Sequence, residues 1–435
     1  MDDAWFLGID VGTSGVRAAL VDASGDLAHL GRASLPPSRR DEAGHALQEA
    51  DDWWHALVTA VQALPESARR RVSAVGLDAT SGTVVAVDGA GRPLGPARMY
   101  DDRAARAAAE RIARVAPPES GAHGAGSGLA KALELMEAHP RARILTQADW
   151  LLEHLGAAGV SDENNALKLG YDPVARRWPE WLRALAPDLP LPRVLPPGTP
   201  AGRLSREAAR ILGLPAGIPL AAATTDSVAA TLAAGIEGLG EGVTALGTTL
   251  ALKLAGTRPV FDPARGIYSH RLGEAWLAAG ASNSGGAVLA RFFTPERLRA
   301  LSERIDPERD SGLDYYPLPA PGERFPVADP HLAPRLNPRP ADDVRFLHGL
   351  LEGIARIEAE GYRLLAQRAG VRLRRVLTTG GGAANPAWTA LRRRLLQVPV
   401  APAAQPEAAV GAACLARCAI TGEPPLTLQP AEAHP

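Results

Sequence analysis

Two stretches of this chain share one pattern. Residues 6–22, FLGIDVGTSGVRAALVD, read as a strand, a glycine-rich turn and a second strand, and from Gly242 the run VTALGTTLALKLAG reads the same way. An apolar run that stops at a Gly-Thr turn and returns as another apolar run closes on itself as a hairpin. One such unit near the start and one near the midpoint imply an internal duplication, one unit per domain. The copies differ in one respect: Asp10 stands at the lip of the first turn, and the second copy has no acid. With 435 residues the chain exceeds one ordinary core, so two domains of roughly 200 residues with a cleft between them are expected.

The first turn, with Gly12, Thr13, Ser14 and Gly15, offers several backbone N–H groups and two hydroxyls beside one carboxylate. That set suits a phosphate chain with its magnesium ion, although a plain tight hairpin accounts for the same residues. Composition excludes other classes. Net charge is -1, from 47 basic and 48 acidic residues, and only Lys131, Lys168 and Lys253 are lysines, so the arginine-rich balance does not describe a nucleic-acid surface. The two cysteines, Cys414 and Cys418, sit four apart on an alanine-rich helical stretch and read as small buried residues in a reducing cytoplasm. The start, MDDAWFLGID, has no export signal, and no run is apolar enough to span a membrane, so a soluble, unexported protein is expected.

Along the chain, residues 5–33 form an antiparallel meander. Residues 49–64 have helical spacing, with Trp53, Leu57, Val61 and Leu64 on one face. VSAVGLDATSGTVVAV, 72–87, holds two β-rich runs around a polar centre from Asp78 to Thr83, which predicts a strand end facing a cleft. A loop over 117–128 precedes helices at 129–138 and 144–155. IPLAAATTD, 218–226, delivers Asp226 to the start of a helix over 227–235. Later come a long helix at 345–369, a strand at 376–379, a triple-glycine turn at 380–382, and helices at 386–396 and 407–420.

Three glycine- or hydroxyl-rich turns therefore follow apolar strands: Gly12 with Gly15, Gly247 with Thr248 and Thr249, and Gly380 with Gly381 and Gly382. Together they outline a nucleotide site divided between two domains. None of the three lysines follows a GxxxxG run, which excludes a Walker A loop, and the GxG spacing of a dinucleotide fold is absent. A cradle of backbone amides and threonine hydroxyls remains. Phosphoryl transfer needs such donors, a metal ion and a group that orients or deprotonates the attacking hydroxyl. Asp10 is the candidate for the metal, directly or through water. Asp226, where a helix dipole favours the ionised form, is the candidate base toward an alcohol; a plain helix cap is the alternative for it.

In this order the motifs resemble the FGGY carbohydrate kinases of the actin, Hsp70 and sugar-kinase superfamily, over nearly the whole chain. GIDVGTSGVRA resembles that family's first phosphate motif, TALGTTL the second, LTTGGGAANPAWTALRRRLLQVPV the adenosine motif, TTDSVAATLAAG the segment with the catalytic aspartate, SNSGGAVLARFF the turn and helix of the second domain, and EAAVGAACLA the closing helix. The resemblance implies an α/β fold of two ribonuclease-H-like domains, over 1–236 and 237–423 with a tail at 424–435. ATP and sugar would lie in the cleft between them. It implies Asp10 near magnesium, Thr13 near the transferred phosphate with Gly12 and Ser14 beside it, and Gly247, Thr248 and Thr249 at the β and γ phosphates. Gly381, Gly382, Ala383 and Asn385 would border the nucleotide, and Asp226 would act as base.

The resemblance also places LDATSGTVVAVD and MYDDRA where the family meets its sugar, with Thr80, Ser81, Gly82 and Asp102 as contacts and Asp101 as the alternative acid. Tyr100 replaces the usual tryptophan, and the middle between Gly128 and Pro200 is short. The DATS form is similar to that of ribulose-type kinases. The expectation is an ATP- and magnesium-dependent kinase of a ketopentose, D-ribulose before D-xylulose, acting as a cytoplasmic monomer or homodimer without nucleic-acid or membrane partners. A sugar-binding regulator that lost catalysis and an actin- or chaperone-like ATPase are the competing classes.

Overall fold

The computed structural model of the chain describes residues 4–426; residues 1–3 and all but the first three residues of the expected tail at 424–435 lie outside the described residues. Two compact units form. The first runs through Ala233 and takes in Arg271–Gly273 and Glu407–Pro425, and the second holds Ala234–His270 and Glu274–Pro406.

In the first unit, Trp5–Val11 pairs antiparallel with Gly15–Val21, which pairs antiparallel with Leu27–Ser34. On the other side of Trp5–Val11 lies Val72–Ala79, parallel to it, and next to that Pro219–Ala221, again parallel. In the second unit Glu241–Leu246, Leu250–Gly256 and Ala275–Ser282 form the same antiparallel series, and Arg375–Thr379 and then Val400–Pro402 add the same two parallel strands. Numbering five strands in chain order, both sheets run 3-2-1-4-5. The first three strands need only tight turns, whereas the parallel ones arrive after long crossovers that carry the helices.

Glycines let helices lie directly on the first sheet. A Cβ at Gly8 would fall 1.8 Å from the carbonyl oxygen of Ala409, and one at Gly76 would fall 2.0 Å from that of Ala412. Both contacts are with the helix Ala408–Thr421. The closing helix, expected in the C-terminal domain by chain order, packs on the sheet of the first unit: its alanine face identifies a close-packing helix but not the sheet it packs on. A second departure is local. The helix expected over 144–155 begins only at Gln147, because Arg143–Thr146 pairs antiparallel with Val84–Val87, and the Thr146 side chain then accepts the Asp149 amide as a cap. The two β-rich runs around Asp78 to Thr83 consequently enter different sheets.

In the second unit, the helix Asp343–Ala369 buries one face, including Leu347, Leu350, Ile354 and Leu365, against the sheet and its neighbours. It starts at the side-chain cap of Asp342 and stops at Gly370, whose φ is 71°.

Candidate active site

In the first unit three parallel strands end side by side, and each delivers an aspartate. Asp10 stands in register with Asp78 on Val72–Ala79. Thr224 of the short strand Thr224–Thr225 also pairs with Asp78, and Asp226 follows directly as the first residue of the helix Asp226–Ala233. Carboxyl ends of parallel strands are where such sheets bind ligands. Asp226 is half-buried. Its Oδ1 accepts the Ser227 amide at 2.6 Å, and the positive helix end favours its charged form. Arg17, opposite Asp10 across the hairpin, donates from Nη1 to Asp10 Oδ2 at 3.0 Å, and its Nε lies 3.2 Å from Glu407 Oε2.

Asp78 is the member that the motif reading left out. It has 0 % exposure, and apart from the Asp10 carboxyl beside it neither carboxylate oxygen has a hydrogen-bond partner. Burial, then the charges of Asp10 and Asp226, push its carboxyl well above the ordinary carboxylate range, against a lowering by Arg17. A signal for it exists in the sequence: Asp78-Ala-Thr-Ser-Gly repeats Asp10-Val-Gly-Thr-Ser-Gly one residue shorter, an acid closing an apolar strand in both.

The first turn is held from its carbonyl side. The Gly12 amide donates to Gly15 O at 3.1 Å, the Leu35 amide to Ser14 O at 3.0 Å, and Gln48 Nε2 to Thr13 O at 3.2 Å. Ser14 is exposed, and Gly12 and Thr13 are half-buried.

Of the expected sugar contacts, Thr80 is engaged inward: its hydroxyl donates to Gln147 Oε1 at 2.5 Å and its amide to the same oxygen at 3.0 Å. Ser81 Oγ is buried without a partner, and Gly82 turns the chain at a φ of 82°. Asp102 departs from expectation. It is wholly buried; its Oδ2 meets the Arg98 guanidinium and lies 3.8 Å from His45 Nδ1, and its Oδ1 accepts the Ala104 amide at 2.9 Å. Burial raises its carboxyl, but the Arg98 bond, the Ala104 amide and the Arg98 charge outweigh this and hold it below its usual value. The Asp102 carboxylate therefore orients the 98–104 segment instead of facing a ligand. Asp101 is the outer acid, 2.9 Å from Arg40. Lys131, buried on the helix Gly128–Ala138, fastens the same segment by donating from Nζ to Met99 O at 2.8 Å, and burial pushes its ammonium down to about 8.

In the second unit the remaining turns meet. The amides of Gly286 and Ala287 donate to the carbonyls of Gly247 and Thr248 at 2.8 and 3.1 Å. A Cβ at Gly285 would stand 2.8 Å from the Thr248 carbonyl oxygen, and one at Gly380 would stand 2.7 Å from that of Leu246. Around these turns opens a cavity of about 1160 Å³, lined by Gly247, Thr248, Gly381, Gly382 and Asn385 with apolar walls from Leu289, Phe293 and Trp388. Thr249 and Ala383 belong to the same turns but not to this lining. Asn385 is a framework residue of the cavity: its Oδ1 accepts the Trp388 amide at 3.0 Å as the cap of Pro386–Leu396, and its Nδ2 donates to Ser302 Oγ at 2.9 Å. Behind the turn, Arg392 donates to both Glu358 oxygens at 2.6 and 2.7 Å and to Thr378 Oγ1 at 2.8 Å.

Residues 5–233 match the model for the N-terminal domain of the FGGY family of carbohydrate kinases, and residues 242–420 match its C-terminal domain. The chain belongs to this family. A xylulose kinase of Streptomyces coelicolor is 29% identical, over 96% of this chain and 88% of that protein. A ribulokinase of Geobacillus thermodenitrificans is 27% identical over 59% of this chain and 54% of its own. Among solved structures, one described as a xyloylose kinase from Brucella ovis superposes with a TM-score of 0.86 at 25% identity, over 97% of this chain and 91% of that one. The two-domain mixed α/β fold is thus the sugar-kinase fold of the FGGY family, and the chain is a carbohydrate kinase.

Kinases of the family use ATP, generally with magnesium. The second unit fits a nucleotide: a Cβ at Gly247 or Gly381 would meet no atom within 4 Å, so a ligand can approach the backbone of both turns beside an apolar cavity. The first unit fits magnesium, since its donors are carboxylate oxygens and one of them, Asp78, has two buried oxygens without partners apart from the Asp10 carboxyl. Among the described residues no group of three or more His, Cys, Asp and Glu side chains is placed to hold a metal ion.

Proposed function

We propose that this FGGY kinase transfers the γ-phosphoryl group of ATP to a terminal hydroxyl of a ketopentose. The observation that carries the assignment of roles is the meeting of Asp10, Asp78 and Asp226 at adjoining strand ends. Asp226 accepts the hydroxyl proton as the sugar oxygen bonds to the γ-phosphorus and the bond to the β–γ bridging oxygen breaks, leaving ADP and the sugar phosphate. Asp10 would hold magnesium, which when bound offsets phosphate charge. Amides of the Gly247 and Gly381 turns, with the Thr248 hydroxyl, are the second unit's phosphate donors, and the Gly12 turn with the Thr13 hydroxyl is the first unit's. The apolar wall with Trp388 takes the base, bordered by Gly382, Ala383 and Asn385, and Ser81 and Gly82 meet the sugar.

D-ribulose is the first substrate of this reading, from the DATS form at Asp78 to Ser81. D-xylulose is the second, favoured by the xylulose kinases among the relatives. Among the described residues no helix is long and apolar enough to cross a membrane, and we place the enzyme in the cytoplasm, where ATP is supplied. A coupled ADP-release assay over pentuloses, pentitols, glycerol and aldonates tests the assignment. Sugar-dependent ADP release should be greatest with D-ribulose; a preference for an aldonate or for glycerol would overturn the ketopentose reading.

A further inference from the structure

The first unit concentrates negative charge at its strand ends. Asp10, Asp78 and Asp226 converge at one sheet edge. Arg17, bonded to Asp10, also contacts Glu407. Asp78 is beyond the reach of solvent, and apart from the Asp10 carboxyl beside it neither of its oxygens has a hydrogen-bond partner. Buried carboxylates are paired, neutralised or bound to metal. Asp10 and Asp78 are in-register residues of neighbouring parallel strands, so their side chains leave the same face of the sheet. The duplicated unit supplies a control, because there the matching register pair is Ala245 with Thr379, two residues without charge. The acid pair is therefore not something the topology needs for folding.

We propose that Asp78 is a second carboxylate ligand, beside Asp10, for the divalent cation that accompanies the nucleotide. The inference rests on the reading of Asp10 as the metal-side acid. A divalent ion between the two carboxylates would replace their mutual contact and relieve their repulsion, while water and phosphate oxygens complete an octahedral shell.

The test uses Mn²⁺ as the probe, with free Mn²⁺ followed by electron paramagnetic resonance on the full chain in the presence of ADP. Wild type is compared with Asp78→Asn and Asp10→Asn, and Asp78→Ala repeats the measurement in case the amide perturbs folding. Asp78→Asn should weaken Mn²⁺ binding by roughly tenfold or more. Metal-free ADP affinity should stay within about twofold, and the thermal midpoint without metal should be no lower than that of wild type, since a buried acid is removed. Wild type should gain thermal stability on adding Mn²⁺, and Asp78→Asn should gain little. Mn²⁺ affinity of both Asp78 variants within about twofold of wild type, with Asp10→Asn impaired, would overturn the inference and leave the metal role of Asp10 standing; unimpaired binding in all three variants would remove both.

Discussion

The two units share one strand order and differ at the strand-end acid, since the first unit pairs Asp102 with Arg98 but sets Asp78 beside other carboxylates. In the second unit Glu358 is clasped by Arg392, Glu352 by Arg356, Arg394 and the Ser311 hydroxyl, and Glu241 by Arg375. In the first, Asp78 faces the Asp10 carboxyl, and the buried pair Asp149 and Asp162 are both pushed up to about 7, by desolvation first. The second copy thus neutralises its charges internally and opens an apolar cavity beside uncharged turns. The first leaves carboxylates exposed to one another at its strand ends. On the proposed roles one duplicated scaffold supplies a base-binding half and a chemical half, because the turn and strand-end residues are free to differ once the sheet is formed.

The strongest break of this comparison is at the chemical half. Asp226→Ala should lower kcat by about 10²–10⁴-fold, read by coupled ADP release, while ADP affinity by calorimetry stays within about twofold; near-normal turnover would end its role as base. In the other half, Arg392→Met leaves Glu358 buried and unpaired and should cost about 3–5 kcal/mol in urea unfolding. Adding Glu358→Gln should recover much of that loss, and a single variant as stable as wild type would show that the pair contributes little.

Asp149 supplies a pH arm. Its carboxyl sits at about 7 when folded against an ordinary 3.8, so the folded state binds the extra proton between those values. Stability should fall as pH rises through that window, with the cost fully present above pH 7 and amounting to a few kcal/mol at most. Asp149→Asn should flatten the wild-type difference between denaturation midpoints at about pH 5 and pH 8; an undiminished slope would move the effect elsewhere, Asp162 first. The smallest change makes the copies alike. Ala245, exposed at the position matching Asp10, becomes an acid in Ala245→Asp, which should weaken ATP binding several-fold by repelling phosphate, with stability nearly unchanged. Unaltered affinity would place the phosphates away from that turn.

Much of this was legible beforehand. The hairpins at Gly12 and Gly247 and the strand-to-helix step at Asp226 are local events, written in alternating apolar residues and turn glycines, and each is in the structure. The long helix needed only a two-residue extension at its start, to Asp343. Asp102 shows the limit: in sequence it is one of two adjacent acids, and which of them faces inward depends on Arg98, His45 and the turn at Ala104. The closing helix shows it again, since Gly8 and Gly76, more than 300 residues upstream, select the sheet it covers.

The sequence by itself determined the duplicated strand–turn–strand units, the acid present in one copy and absent from the other, and the glycine-rich turns. Periodicity and turn chemistry act over a few residues, so they can be read without a fold. Only the tertiary structure decided that Asp78 joins Asp10 and Asp226, that Asp102 turns inward, and that the last helix belongs to the first unit. Those outcomes depend on strand register and on burial by distant segments, which set the charge environment of a carboxylate and leave no local trace in the chain.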